Sequence, residues 1–302
     1  VSARAFLDIV KMLPGPNLNL TCLPNQHLSI KSGRTNARLV ALAADEFPRL
    51  PDTKGAEFSR LSVADFSYAI NKTLYSTSSD ENRYNLTGVF LDPKQPSILV
   101  STDGHRLSYV EINLSPEPLK FKNPVILPRK GLIEIMRLLD GLENDTKNTF
   151  EFAILGNQAM VIAQNTVLTM RLIDGKFPDY QQVIPKLSDK IMRVSRNDIL
   201  LGLKRVSVLS NDKTQSARLK LAKGDLTVSC VNPETGEASD AVAVEYNGPD
   251  IEIGFNAKYI IDALSSLGED SVMMKFTDPL SPALLTGITT ENHLCVIMPM
   301  RM

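Results

Sequence analysis

The sequence predicts an α+β protein built from a repeated module, and three observations carry the prediction. One amphipathic helix pattern occurs three times at near-equal spacing. Runs of alternating and β-branched residues follow each copy, and proline-containing junctions interrupt the pattern.

The helix pattern spans Val1 to Leu13, Leu127 to Leu139 and Phe255 to Leu267, so successive copies start 126 and 128 residues apart, about one small domain each time. Apolar side chains recur at i, i+3, i+4 and i+7. They are Phe6, Ile9, Val10 and Leu13, then Leu132, Ile135, Met136 and Leu139, then Ile260, Ala263, Leu264 and Leu267. At about 100° per residue these positions form one stripe that lies on a core. Strands are expected at Leu18 to Leu23, at Phe150 to Leu155 with Val161 to Arg171, and at Val272 to Phe276 with Leu294 to Met298.

Two junctions read alike, Glu46 to Pro51 and Lys176 to Pro185, and proline ends regular structure there. A second helix type follows each, Ser62 to Tyr75 with Phe66, Ala69, Ile70 and Thr73 inward, and Ser195 to Leu209 with Ile199, Leu203 and Val206 inward. Ser195 and Asp198 supply part of an N-cap signal. The unit is therefore helix, strands, helix, strands. It divides the chain into 1–52, 53–185 and 186–302. The first segment carries only the second half of the unit, which implies that about half a domain is absent, since half a sheet leaves an open edge.

Composition excludes several classes. The net charge is −1 with 22% charged residues, so no global field draws the chain to nucleic acid. Cys22, Cys230 and Cys295 lie far apart without metal spacing, which suits a reducing cytoplasm rather than a disulfide framework. No apolar run is long enough to span a membrane, and no glycine-rich phosphate loop occurs.

Charge is nevertheless patterned. Arg4 and Lys11 lie seven residues apart, hence close together on the wheel and opposite the apolar stripe. Lys130 and Arg137 repeat this, and Lys258 does so with Ser265 in place of the second base. Arg205, and less cleanly Lys72, point outward from the other helix type. One reading is a shared basic surface for phosphates. The other is an ordinary solvated face, with Asp8, Glu134 and Asp262 pairing with the bases four residues earlier. Asp103 and His105 also admit two readings, acid–base chemistry of a nucleic-acid hydrolase or a turn between strands that shapes a pocket. No second histidine shows ligand-like spacing to them, which favours the turn.

Several motifs then agree in order and register. They are Arg83-Tyr84-Asn85-Leu86-Thr87-Gly88-Val89, Thr102-Asp103-Gly104-His105-Arg106-Leu107, Leu127-Pro128-Arg129-Lys130-Gly131, the stretch from Arg171 to Tyr180, Gly254-Phe255-Asn256, and the ending Met298-Pro299-Met300-Arg301-Met302. Across essentially the whole chain they resemble the bacterial sliding clamps, the beta subunits of DNA polymerase III. The resemblance implies a DNA clamp fold of three similar domains per chain, the first of them incomplete here. It implies that helices line the interior of a ring, with antiparallel sheets outside. It implies a non-catalytic processivity factor without cofactor or metal that encircles duplex DNA, independent of base sequence.

By motif position the resemblance also implies a peptide pocket. The middle segment would supply Arg83, Leu86, Thr102, Gly104, His105, Arg106, Leu107, Pro178 and Val183. The last would supply Asn256, Tyr259, Leu280, Val296, Ile297, Met298, Pro299, Met300, Arg301 and Met302. Implied partners are the polymerase III alpha subunit, clamp-loader subunits, and other polymerases and repair proteins, each through a short linear motif. DNA would meet Arg4, Lys11, Lys72, Tyr84, Lys130, Arg137, Arg205 and Lys258. Two subunits would close the ring by pairing Ala37 and Leu39 of one with Val208 and Leu209 of the other. Ala37 is small for that place, and Asn85 and Leu280 depart from residues common in the family. The alternatives are the hydrolase above and a scaffold that binds proteins without DNA.

Overall fold

A computed structural model describes residues 1–46, 53–142, 148–186, 188–210 and 215–301. The chain divides into two compact units, Val1–Thr53 and Lys54–Met302. The first junction from Phe47 to Pro51, and Met302 of the expected pocket, lie outside the described residues.

The first unit comprises helix α1 (Ala3–Lys11) and an antiparallel sheet of β1 (Asn19–Leu23), β2 (His27–Ser32) and β3 (Thr35–Val40) in that spatial order. The Ser2 hydroxyl caps α1 by accepting the Ala5 N–H at 3.4 Å. Phe6, Ile9, Val10 and Leu13 are half-buried as the periodicity predicts, and Ile30 is the one apolar residue of this unit that is buried among those described.

The second unit contains the repeat twice. Its first copy runs β4 (Ser59–Ser62), α2 (Val63–Thr73), β5 (Gly88–Asp92), β6 (Ser97–Thr102), β7 (Arg106–Ile112), β8 (Val125–Pro128), α3 (Arg129–Leu139), β9 (Thr149–Leu155), β10 (Gln158–Ala163) and β11 (Thr166–Arg171). Its second runs β12 (Lys190–Ser195), α4 (Arg196–Ser207), β13 (Ser216–Ala222), β14 (Asp225–Asn232), β15 (Gly236–Ala243), β16 (Ile251–Asn256), α5 (Ala257–Ser266), β17 (Ser271–Phe276), β18 (Ala283–Gly287) and β19 (His293–Ile297). Element for element the two copies agree.

All helices expected from the periodicity are present, and Ser62, Ser195 and Asn256 cap α2, α4 and α5 through their side chains. One strand expectation is corrected. The run from Val161 to Arg171 is two strands, β10 and β11, joined by a tight turn in which Gln164 adopts φ 53°.

Two four-stranded sheets, β11-β10-β9-β4 and β15-β14-β13-β16, flank an eight-stranded one ordered β12-β17-β18-β19-β7-β6-β5-β8. The eight-stranded sheet joins the copies, because β19 pairs antiparallel with β7 from His293↔Val110 to Ile297↔Arg106. Strand alternation assigns its two faces. Val89, Leu99, Val110 and Leu127 face a core with α2 and α3, while Ala283, Leu285, Cys295 and Ile297 face one with α4 and α5. Val100, Leu107, Ile126, Leu284 and Val296 point to the opposite face, where Phe177 and Tyr180 from the connection between the copies cover them. Each such apolar side chain removed from water contributes about 1.5–3 kcal/mol. The connection is thus packed onto the sheet, and Phe90 stacks on Phe177 with centroids 5.0 Å apart.

Candidate functional site

The turn between β6 and β7 is fixed by its own side chains. Asp103 Oδ1 accepts the N–H groups of His105 and Arg106 at 2.9 and 3.0 Å, and Oδ2 accepts from Arg106 Nε at 3.0 Å. Thr102 Oγ1 accepts the Gly104 N–H at 3.0 Å and donates to the Arg106 carbonyl at 2.6 Å. Gly104 sits at φ +88°, a conformation that L side chains rarely adopt, and a Cβ there would stand 2.8 Å from Arg83 Nη1 and displace it, so another residue at this position is strained. Arg83 Nη1 closes the motif by donating to the Asp103 carbonyl at 3.0 Å. The Asp103 carboxylate is spent on shaping this turn, which removes the basis for a hydrolytic base.

Beside the turn lies a cavity of about 110 Å³ lined by Leu86, Thr102, Gly104, Arg106, Leu107, Pro178, Tyr180, Val183, Val296 and Met298. Four chain segments meet here: the stretch before β5 that carries Leu86, the β6–β7 turn, the connection carrying Pro178 to Val183, and the end of β19 with Met298. Its lining is predominantly apolar, with Met298 as an adaptable wall. Of the lining residues only Tyr180 was missed. It stands in the Phe177-Pro178-Asp179-Tyr180 motif and is buried with its ring tilted against Phe90 and Tyr109. An aromatic placed after a proline in a junction was the available signal.

Among the described residues, the remaining expected ones fall outside the cavity lining. Arg83 and His105 stand by the turn, and the His105 ring lies 6.4 Å from that of Tyr259 at an interplanar angle of 17°. Asn256 uses its side-chain oxygen to cap α5, accepting the Tyr259 N–H at 3.3 Å. Leu280 is exposed between β17 and β18. Ile297 is corrected: it is 1% exposed and belongs to the core under α4 and α5, since its neighbour Val296 takes the cavity side of the strand. Beyond Pro299 the tail turns toward the other sheet. The Met300 N–H donates to the Gly254 carbonyl at 2.8 Å, and Met300 and Arg301 border a shallow depression with Arg218 and Val231.

Arg106 carries the electrostatics. Its side chain is 10% exposed. Nε bonds Asp103, Nη1 reaches Asp262 Oδ2 at 2.6 Å, Nη2 donates to the Tyr75 carbonyl at 2.8 Å, and the guanidinium lies 4.5 Å from the Tyr259 ring centroid. Burial opposes the charge, but the bonds and fields of Asp262 and Asp103 outweigh it, so the guanidinium titrates above its ordinary range. Burial, reinforced by Asp103, also raises the Tyr259 phenol.

The basic helix residues divide. Lys11, Lys130, Arg137 and Arg4 are exposed, as is Tyr84. Arg4 lies 4.0 Å from Asp8, and Lys258 is bonded to Asp262 at 3.0 Å, as the spacing predicts. Glu134 differs, since it pairs with Arg137 at 2.6 Å rather than with the lysine one turn earlier. Arg205 is paired with Asp240 on β15 at 2.5 Å. Lys72 is corrected. It is half-buried, donates to the Ser266 carbonyl at the end of α5 and lies over the Tyr68 ring, so its ammonium ties the two copies together instead of facing outward. Ala37 and Leu39 sit half-buried on one face of the edge strand β3, while Val208 is 79% exposed after α4 and Leu209 follows it.

The fold has counterparts of known kind. The Pseudomonas aeruginosa DNA polymerase III subunit beta superposes with a TM-score of 0.89 at 32% identity, covering all of this chain and 82% of that one. The Bacillus subtilis DNA polymerase sliding clamp does so at 0.89 and 28%, covering all of this chain and 79% of that one. The architecture is therefore that of the DNA polymerase sliding clamps. The beta sliding clamps of Pseudomonas putida and Escherichia coli K12 are each 33% identical over 303 aligned positions, spanning 100% of this chain and 81% of theirs. Residues 60–179 match the central domain of the DNA polymerase III beta subunit and 181–301 its C-terminal domain, and the chain belongs to that family.

Proposed function

We propose that the chain acts as the sliding clamp of a replicative DNA polymerase, a non-catalytic ring subunit that encloses duplex DNA and holds the polymerase on it. The family membership supports this reading, and the near-zero net charge suits it. Affinity from phosphate contacts scales with the number neutralised, whereas enclosure retains the protein through topology and permits sliding. No helix among the described residues is long and apolar enough to cross a membrane. We place the protein with the chromosome in the cytoplasm.

The observation that carries the partner assignment is the convergence of the β6–β7 turn, the Pro178–Val183 connection and Met298 on one small apolar cavity. Such a cavity accepts one or two aliphatic or aromatic side chains of a linear segment, and the adjoining polar turn orients the backbone. Short motifs of the polymerase III alpha subunit, the clamp loader, other polymerases and repair proteins would occupy it in turn. Met298→Asp tests this directly. Binding of purified alpha subunit should weaken at least tenfold with the melting temperature unchanged, and undiminished binding would refute the assignment.

The chain is read as three clamp segments, 1–52, 53–185 and 186–302, and the domain matches ending at 179 and beginning at 181 support the second boundary. Two subunits would pair β3, with Ala37 and Leu39, against Val208 and Leu209 of a second copy. A head-to-tail contact of this kind closes a ring when its rotation is right.

A further inference from the structure

Asp262 lies on α5 and serves two cations at once. Its Oδ2 is 2.6 Å from Arg106 Nη1, and the same carboxylate accepts Lys258 Nζ at 3.0 and 3.1 Å. Arg106 is a wall of the apolar cavity. Lys258, with 56% of its side chain exposed, is one of the bases expected to face DNA. One carboxylate, itself 22% exposed, therefore stands between the two functional surfaces.

We infer that Asp262 is a positioning residue that sets the pocket arginine and restrains the DNA-facing lysine together. The inference rests on the partner and DNA reading above and extends it to Asp262, which spacing pairs with Lys258 but which no motif or spacing joins to the pocket. The charges explain the arrangement. Arg106 is largely desolvated, and Asp103 alone would leave one end of its planar fork without an anionic partner. Asp262 supplies that partner and locks the guanidinium over Tyr259, which holds the cavity wall in shape. Lys258 is solvated and pairs with Asp262 only as an exposed i,i+4 contact, which is weak and competes with phosphate. Neutralising Asp262 must then act oppositely on the two sides. The cavity loses a fixed wall, and the lysine gains freedom to meet DNA.

The test is Asp262→Asn in the ring-forming protein, which keeps the shape and removes the charge. Two quantities are measured, the dissociation constant for purified polymerase III alpha subunit and the slope of log K against log salt for duplex DNA. The expected result is a three- to tenfold weaker alpha-subunit interaction together with a salt slope steeper by up to about one per subunit. Lys258→Ala, run in parallel, should flatten the slope without altering alpha-subunit binding. If Lys258→Ala leaves the slope unchanged, the DNA-face reading fails and the inference with it. If Lys258→Ala flattens the slope but Asp262→Asn does not steepen it, the inference alone is overturned. A fall in both affinities for Asp262→Asn marks a merely structural role and overturns it as well.

Discussion

The backbone N–H of Met298 donates to the carbonyl of His105 across 2.8 Å. This bond continues the β7–β19 ladder one residue past the end of the sheet, so the last residues of the second repeat copy are seated on the turn of the first. The cavity wall depends on that seating, because Met298 is one of its lining residues.

Removal of residues 298–302 should therefore abolish alpha-subunit binding and leave the fold nearly intact. Among its described residues, 298–301, the tail contributes the Met298 bond and the Met300–Gly254 bridge, but no residue to the three apolar clusters. Calorimetric titration gives the first readout, and thermal melting, expected to fall by a few degrees at most, gives the second.

Phe177→Ala should lower stability by about 3 kcal/mol and weaken partner binding as well. Phe177 is 7% exposed and stacks on Phe90, while Pro178, Tyr180 and Val183 ride on the same segment into the cavity. Urea unfolding measures the loss. A stable variant with unaltered binding would show that the connection is not anchored there.

On the helix faces, alanine at Arg4, Lys11, Lys130 and Arg137 should flatten the salt dependence of DNA contact by up to about 0.9 for each phosphate released. Lys11 and Lys130 should contribute more than Arg137, whose guanidinium is 2.6 Å from Glu134. Lys72→Ala should leave the slope unaltered, because its ammonium is committed to the Ser266 carbonyl.

Acid should weaken the seam between the repeat copies. Burial, reinforced by the Lys72 ammonium, pulls the His293 imidazole down from 6.5 to about 4. In the folded chain it stays neutral where an unfolded chain already binds a proton. Its contribution to stability is thus complete above pH 6.5 and declines as the pH falls from 6.5 toward 4. The loss is on the order of 3 kcal/mol at most. Melting curves across that window should show it, and His293→Gln should flatten them.

Much of this molecule was legible before folding. The helices were marked by apolar stripes that proved to be core positions, such as Leu132, Ile135 and Leu139, and by caps such as Ser195. The pocket was legible through motif resemblance, not periodicity, because its walls come from segments about 190 residues apart, such as Leu107 and Val296. Non-local pairing was what the sequence concealed. Lys72 looked like an outward base because nothing near it in sequence reveals the Ser266 carbonyl, and the joining of β7 to β19 has no local signature. Ile297 was misplaced for a different reason. Alternation already set it opposite Val296, and a contiguous motif obscured that.

The central claim is topological, and retention on closed DNA tests it most directly. Protein loaded onto a nicked circular duplex should stay bound through high salt and gel filtration, then be lost once a restriction enzyme linearises the circle. Equal retention on circular and linear DNA would contradict enclosure, because a protein held by contacts alone has no reason to distinguish them.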